Sequence, residues 1–499
     1  MMPPLPDALL HWNETARVRP ITAHAVRPAG QPQARYILCW LQQALRARDN
    51  PVIDAAVCLG NDLGLPVLVY HGLREDYPYA SDRLHRFILG ASRDLAKDCR
   101  QRGLACIQYV ERAGAREKGL VYRLAADSAA VLIEDQPTFV ARWQTERFAA
   151  RTDRAVFAVN AACLVPPALL GDAVGSTSAF RRQHQPLRDD WRAIDDLKPT
   201  VASYDGSLPY TPYRLDQCTD DALDQMVAAA AIDHSLPPGQ LSPPGREGAL
   251  TMLERLMDDV LPRYAALRND ATHPVGASML SPYLHFGVIG PREVMAAVDA
   301  AVAPAASKEK FADELLTWRE WFHYQARACT APERYGRIPA WARETLEAHA
   351  GDARRALEPL AALLRGETRD ETWNACQRQF LIDGWMHNNL RMYWAKRLIA
   401  MTPDPWTAWV TACYLNDRLS LDGRDPSTYG NIAASFGGGT PGRDGPAIYG
   451  KVPDRSDGST RRRPDGPAWI AAAASRPQPD VTVPDALPTD LYLDGIAPV

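Results

Sequence analysis

Lysine is scarce in this sequence, at seven of 56 basic residues against 49 arginines. With so few lysines anywhere, the arginine excess reads as compositional bias rather than as a phosphate-binding surface, although each guanidinium can still grip an anion bidentately. Cysteine is sparse too: nine residues, an odd number, with no Cys-x-x-Cys pair. That excludes a disulfide framework and the common structural zinc spacings, and points to a reducing compartment. No segment approaches the eighteen or so consecutive apolar residues of a membrane span. The N-terminal MMPPLPDALLHWNETARVRP lacks a basic stretch followed by an apolar core, so the sequence reads as soluble and cytoplasmic with no membrane partner. A Gly-x-Gly-x-x-Gly fingerprint is also missing after every candidate strand, which argues against a nucleotide held by the usual glycine turn. The formal charge of -4, from 56 basic and 60 acidic residues, neither suggests nor excludes nucleic acid.

What is present is enough apolar residue, 46% of 499, to bury two cores. Residues 35–175 alternate short β-branched runs (LPVLVYHG, LACIQYVE, AAVLIEDQ) with a helical stretch, ASDRLHRFILGASRDLAKDCRQRG, that closes on Gly103. ARYILCWLQQAL reads as a strand running into a helix. This spacing predicts an α/β domain with a parallel, Rossmann-like sheet and ligand space at the carboxyl ends of its strands. Residues 176–244 are rich in Pro, Gly and Ser and read as a connector. Residues 245–455 are almost wholly helical in period up to about 415, and 456–499 read as a peripheral tail.

Eight of the 13 tryptophans fall between Trp318 and Trp409, where packing is the first explanation for large aromatics. Ser281 precedes a proline and reads as an N-cap, yet the free N–H groups of such a helix start, with Ser278 beside them, also suit a pyrophosphate. Glu320 in DELLTWREWFHYQA is either paired internally with Arg319 or faces a substrate, where a carboxylic acid can donate to a carbonyl gaining charge. On one straight helix Trp373 and Trp394 would lie about 31 Å apart; a turn at Asp383 and Gly384 would bring them side by side, where they can relay an electron. Asn388 and Arg391, at i and i+3, offer donors to an anionic or carbonyl-bearing cofactor. In YLNDRLSLDGRDP, Asp422 suits an internal turn or a pair with Arg391.

LSPYLHFG, WNACQ, MHNNLRMYWAKRLI and YLNDRLSLDGRDPSTY resemble the flavin-binding domain of the photolyase and cryptochrome family, most closely class II cyclobutane pyrimidine dimer photolyases. RARDNPVIDAAVCLGNDLGLPVLVYHGL is similar to the antenna domain of that class, and the likeness runs over roughly 35–455. The resemblance implies an α/β antenna domain, an all-helical FAD-binding domain and one FAD, and leaves the antenna domain open to a second antenna chromophore of unknown identity (a deazaflavin, a folate or another flavin) or to none. It implies that Ser278, Ser281, Leu284 and His285 contact the flavin, with Asn388 alongside, and that Arg391 and Asp422 lie beside the isoalloxazine. It makes Asn416 the residue facing flavin N5, Glu320 the hydrogen-bond donor to a dimer, and Trp394 and Trp373 the inner members of an electron-transfer chain. Met401 stands where the outermost tryptophan is usual, which leaves Trp406, Trp409 or Trp385 to complete the route. Tyr324 and Ala434 stand where rings usually grip the dimer. The implied partner is UV-damaged DNA with a flipped pyrimidine dimer, and the implied activity is its light-driven repair. The alternative is a cryptochrome-like blue-light photoreceptor, or a divergent photoenzyme, acting through a signalling partner.

Overall fold

The computed structural model describes residues 4–112, 116–171, 174–439, 441–443, 445 and 447–495. Runs of apolar, β-branched residues form one sheet of β1 (Val18–Pro20), β2 (Tyr36–Leu41), β3 (Val67–Leu73), β4 (Ala105–Val110), β5 (Ser128–Glu134) and β6 (Val156–Val159). Their order is β1-β6-β5-β2-β3-β4, parallel throughout except for β1 against β6. Central β2 and β5 are buried along their whole length, as a strand covered on both faces must be.

The expected strand-into-helix at ARYILCWLQQAL is not formed. After β2 the chain turns through residues 42–44, whose N–H groups converge on the buried Glu134 carboxylate at 2.7–3.0 Å. Helix α1 (Pro51–Leu63) begins only at Asn50, whose side chain accepts from the Val52 N–H while Pro51 opens the first turn. α2 (Asp82–Gln101) follows β3, and Gly103 beyond its end takes φ +73°, the left-handed conformation that closes a helix.

The connector carries α3 (Thr177–His184). Beyond it the chain is helical, and the helices that frame the site are α4 (Ser281–His285), α5 (Glu320–Arg327), α6 (Glu371–Asp383), α7 (Asn388–Met401), α8 (Pro405–Leu419) and α9 (Pro426–Ser435). A parallel sheet region followed by a predominantly helical region is the architecture expected from the sequence.

Arg83 of α2 joins the two regions. Its buried guanidinium donates to the carbonyls of Phe380 and Leu381 at the end of α6, Leu419 at the end of α8, and Pro237. Helix C-termini expose carbonyls that lack partners, so one cation satisfies the ends of two helices. Burial pushes the Arg83 pKa down to about 9, against a pull upward from Asp383.

The tail is not peripheral. α10 (Gly466–Ser475) packs along α6, and Val481, Leu491 and Tyr492 are buried. Arg476 grips the buried Asp383 with both terminal nitrogens. Tyr492 donates to Asp417 Oδ2 at 2.9 Å and hydrogen-bonds Tyr79 at 2.8 Å, so the end of the chain is stitched to the sheet region. Low periodicity in the tail sequence hid this, because its anchors are single residues rather than a stripe. Residues 496–499 lie outside the described residues. No described helix is long and apolar enough to cross a membrane.

Candidate functional site

The centre of the helical region is a hairpin. α6 ends at Gly384, which takes φ +68°, and α7 is started by His387, whose Nδ1 accepts from the Asn389 N–H at 3.1 Å. The turn at Asp383 and Gly384 brings Trp373 and Trp394 side by side, centroids 6.1 Å apart and planes 10° from parallel. Both rings are fully buried, and each indole N–H has a partner: Trp373 on the Trp394 carbonyl at 3.0 Å, Trp394 on Gln377 Oε1 at 2.9 Å. Gln377 follows Trp373 by one helical turn, and that spacing was the available sequence signal for it.

Arg391, one turn into α7, meets Asp422 through Nη2 at 3.0 and 3.2 Å. Burial would raise the Asp422 carboxyl, but the Arg391 guanidinium and the Ser420 and Ser281 hydroxyls hold it below the usual carboxylate range. Ser281 is not an N-cap: it is the first residue of α4, and its hydroxyl accepts from Trp385 Nε1 at 3.1 Å. Ser278 stays local, accepting weakly from the Leu280 N–H at 3.4 Å. His285 pairs through Nδ1 with Asp425, and with half-buried Leu284 it lines a small crevice against Gln43 of the sheet region. Burial works against ionisation of Asp425, but its hydrogen bond to His285 and the nearby His323 and Arg319 hold it well below the usual range.

Some buried polar atoms here lack a hydrogen-bond partner, among them Arg391 Nε, Asn416 Oδ1 and His323 Nε2. A buried donor or acceptor left unpaired costs about 1–3 kcal/mol, so orphans on neighbouring elements mark a place built for another polar group. Asn416 is fully buried near the end of α8, with only its amide nitrogen engaged, on Asp417 Oδ1 at 3.3 Å. A donor at Arg391, an acceptor or donor at Asn416 and an ionised Asp422 suit the alternating nitrogen and carbonyl edge of an isoalloxazine.

Asn388 is exposed at the start of α7; the next residue, Asn389, instead lines a polar cavity of about 260 Å³ with Asn269, Thr272, Arg455 and Arg463. Among the described residues no cluster of His, Cys, Asp or Glu could hold a metal ion.

Glu320 does not offer a free carboxylic acid. It is 2% exposed and accepts from the N–H groups of Leu164 at 2.6 Å and Val165 at 3.3 Å, and from His184 Nε2 at 2.7 Å. Arg188 donates to His184 Nδ1 at 3.0 Å, which turns the Nε2–H of the imidazole toward Glu320. Burial would raise the Glu320 carboxyl, but these donors and Arg319 hold it below the usual range, so it is ionised rather than protonated. Arg319 is turned away to the Ala162 carbonyl at 2.6 Å. Tyr324, one turn on, is likewise occupied: it accepts from the Val174 N–H, donates to the Gly171 carbonyl and stacks on Trp321. Both residues brace α5 against α3 and the segment after β6. Sequence spacing showed which face they share but not what that face meets.

Of the donors left to complete the tryptophan route, Trp409 is buried and Trp406 is exposed, and Tyr335 contacts both rings at 6.4 and 6.3 Å. Trp385 is held on Ser281. The 431–445 stretch, whose Ala434 departs from the usual ring, includes residues 440 and 444, outside the described residues.

Residues 37–199 match the family described as DNA photolyase. The chain is 28% identical over 441 residues to the deoxyribodipyrimidine photo-lyase of Methanothermobacter thermautotrophicus, covering 86% of this chain and 92% of that protein. It is 29% identical over 463 residues to that of Oryza sativa subsp. japonica, covering 89% of each. A class III photolyase from Agrobacterium tumefaciens superposes with a TM-score of 0.62 at 18% identity, covering 89% of this chain and 87% of that one. A cryptochrome from Synechocystis sp. superposes equally, at 0.62, with 16% identity and 87% of each chain covered. The fold is therefore the two-part architecture that these solved structures share. Over most of its length the chain is similar in sequence to these photo-lyases, and over residues 37–199 to the DNA photolyase family.

Proposed function

We propose that this protein repairs cyclobutane pyrimidine dimers in DNA, driven by light, through electron transfer from reduced FAD, and that it is of the class II kind. The observation that carries this is the set of orphaned atoms, Arg391 Nε and Asn416 Oδ1, beside the ionised Asp422, with the stacked Trp373 and Trp394 on the same hairpin. The relatives named above, deoxyribodipyrimidine photo-lyases over most of their length, support the same reading. In it, residues 35–175 form the antenna-type unit and 245–455 hold the cofactor. A photolyase from Sulfolobus tokodaii has been solved with two FAD molecules, so a second chromophore belongs to the reading as a possibility of the fold.

When bound, FAD supplies a light-excitable one-electron donor. Arg391 and Asp422 would hold it and balance charge at its ring, and Asn416 would offer it a hydrogen bond. Ser281, with Trp385 on its hydroxyl, fixes the Asp422 side of the site. Trp394 and Trp373 return reducing equivalents to the site. The apolar packing around α6 to α9 excludes water, which keeps these interactions strong. The reading no longer uses Glu320 as the donor to the dimer: a carboxylate would oppose charge developing on a pyrimidine carbonyl, and this one is already saturated by its three donors.

The same occupation of Glu320 and Tyr324 favours the second reading, a cryptochrome-like photoreceptor that has no need of a dimer grip. Illumination of FAD-loaded, reduced protein with dimer-bearing DNA, followed by assay for restored pyrimidines, separates the two. Repair of either single-stranded or duplex dimers supports the first; photoreduction without repair of either removes it.

A further inference from the structure

The 260 Å³ cavity lies where the loop 269–272, the first turn of α7 and the segment 455–463 meet. Its chemistry is one-sided. Arg455 is half-buried and makes a weak contact from Nη1 to Met392 Sδ at 3.7 Å; among the described residues it has no carboxylate partner. Arg463 at the rim is exposed, donates to the Asn269 carbonyl at 3.4 Å and is loosely paired with Asp270 at 3.9 Å, a contact that leaves most of its guanidinium open to solvent. Behind them on α7 the Lys396 ammonium is buried on the Pro453 carbonyl, again without a carboxylate in contact. Arg461, by contrast, is consumed by Asp457 and Glu371. Burial pushes Lys396 down to about 8 and lowers Arg455, and the two repel each other, with Asp454 pulling Lys396 the other way.

A half-buried Arg455 guanidinium next to the buried Lys396 ammonium, with no carboxylate hydrogen-bonded to either among the described residues, is costly, because the low-dielectric surroundings magnify their repulsion. An anion entering the cavity relieves both terms. Neutral amides complete the lining: Asn389 and Asn269 suit oxygen atoms rather than a second charge, while the Thr272 hydroxyl is spent on Asp270 at 2.7 Å. The guanidinium geometry suits the paired oxygens of a phosphate.

We propose that this cavity binds one phosphodiester group of a single nucleic-acid strand, clamped by Arg455 and Arg463, with Lys396 supplying field from behind. The tail segment thereby becomes part of the substrate surface, outside every motif that carries the flavin. This rests on the reading of the chain as acting on DNA. It deepens that reading by naming the residues that hold the strand beside the site.

The test uses FAD-loaded full-length protein and a short fluorescent oligothymidylate, with binding followed by anisotropy across about 50–200 mM salt. Arg455→Gln and Arg463→Gln should each weaken binding about tenfold at low salt, the loss of a hydrogen-bonded charge, with FAD content unchanged. Replacing both together should flatten the dependence of log K on log salt by about 0.7, the share of one phosphate contact on a single strand, and each alone by a part of it. Arg455→Lys, which keeps the charge, should retain most of the slope. Two results overturn the proposal: oligonucleotide binding indifferent to both arginines, or loss of FAD from the variants with strand binding intact, which would assign the cavity to the cofactor's pyrophosphate. Dimer repair is scored separately on the unsubstituted protein. Arginine-dependent strand binding without repair leaves this site standing and removes the repair reading, whereas repair with arginine-independent binding removes this site alone.

Discussion

Asp422 and Glu320 are both buried carboxylates held ionised, yet they serve different ends because of what remains unpaired around them. Asp422 has a partner, Arg391, whose Nε is still free. Asp422→Ala strands that guanidinium, so FAD retention should fall by about 1–3 kcal/mol in binding free energy, measured as the cofactor fraction surviving gel filtration. Glu320 leaves nothing free. Glu320→Gln would set an amide N–H against a donor, since Leu164, Val165 and His184 all donate to it and Arg188 prevents the imidazole from changing tautomer. We expect a stability loss of about 1.5–3 kcal/mol, the worth of a hydrogen bond to a charged group, read from urea unfolding with FAD still bound. Unchanged stability with selective loss of repair would return Glu320 to the role of dimer donor.

At the scale of elements, the α6–α7 hairpin does most to shape the candidate site. Its turn stacks Trp373 on Trp394, and the same turn directs Arg391 toward Asp422. Trp394→Phe keeps ring bulk but removes the donor at the centre of the stack, and leaves Gln377 without the indole N–H. Light-driven flavin reduction should drop at least tenfold while FAD binding persists, which transient absorption would show; an unaltered rate would place the donor elsewhere. The tail acts at this scale too, because α10 lies on α6 and Arg476 neutralises Asp383 at the hairpin turn.

Across the whole molecule, stability should depend on pH in a definite direction. Burial pushes His71, His85, His323 and His387 each down to about 4. In the unfolded chain the same groups titrate near 6.5. Between those values the unfolded state binds protons that the native state refuses, so their contribution is complete above about pH 6.5 and is lost as pH falls toward 4. The slope is up to about 1.4 kcal/mol per pH unit for each histidine. Asp422 and Asp425, held low in the fold, add a further loss below about pH 4. Urea midpoints that stay level from pH 7 to about pH 4.5 would contradict this.

Local pattern alone marked β2 to β5 and most of the long helices, and offered the turn at Asp383 and Gly384, because apolar period and a left-handed glycine act over a few residues; β1 and β6, short and paired at the sheet edge, were not marked. It also carried the resemblance to photolyases and cryptochromes, since ordered motifs such as LSPYLHFG and MHNNLRMYWAKRLI are contiguous in the chain. The Arg391–Asp422 pair was legible as an unusual charge density between apolar segments. What pairing over long sequence distances decides was not legible. Glu320 meets Leu164 and His184, Arg83 meets the ends of α6 and α8, and Tyr492 meets Asp417 and Tyr79, each across 75 or more residues. A buried charge takes its role from whichever donors the tertiary fold brings to it, so only the structure could turn Glu320 from a presumed acid into an ionised brace and the tail from a periphery into a wall of the cavity.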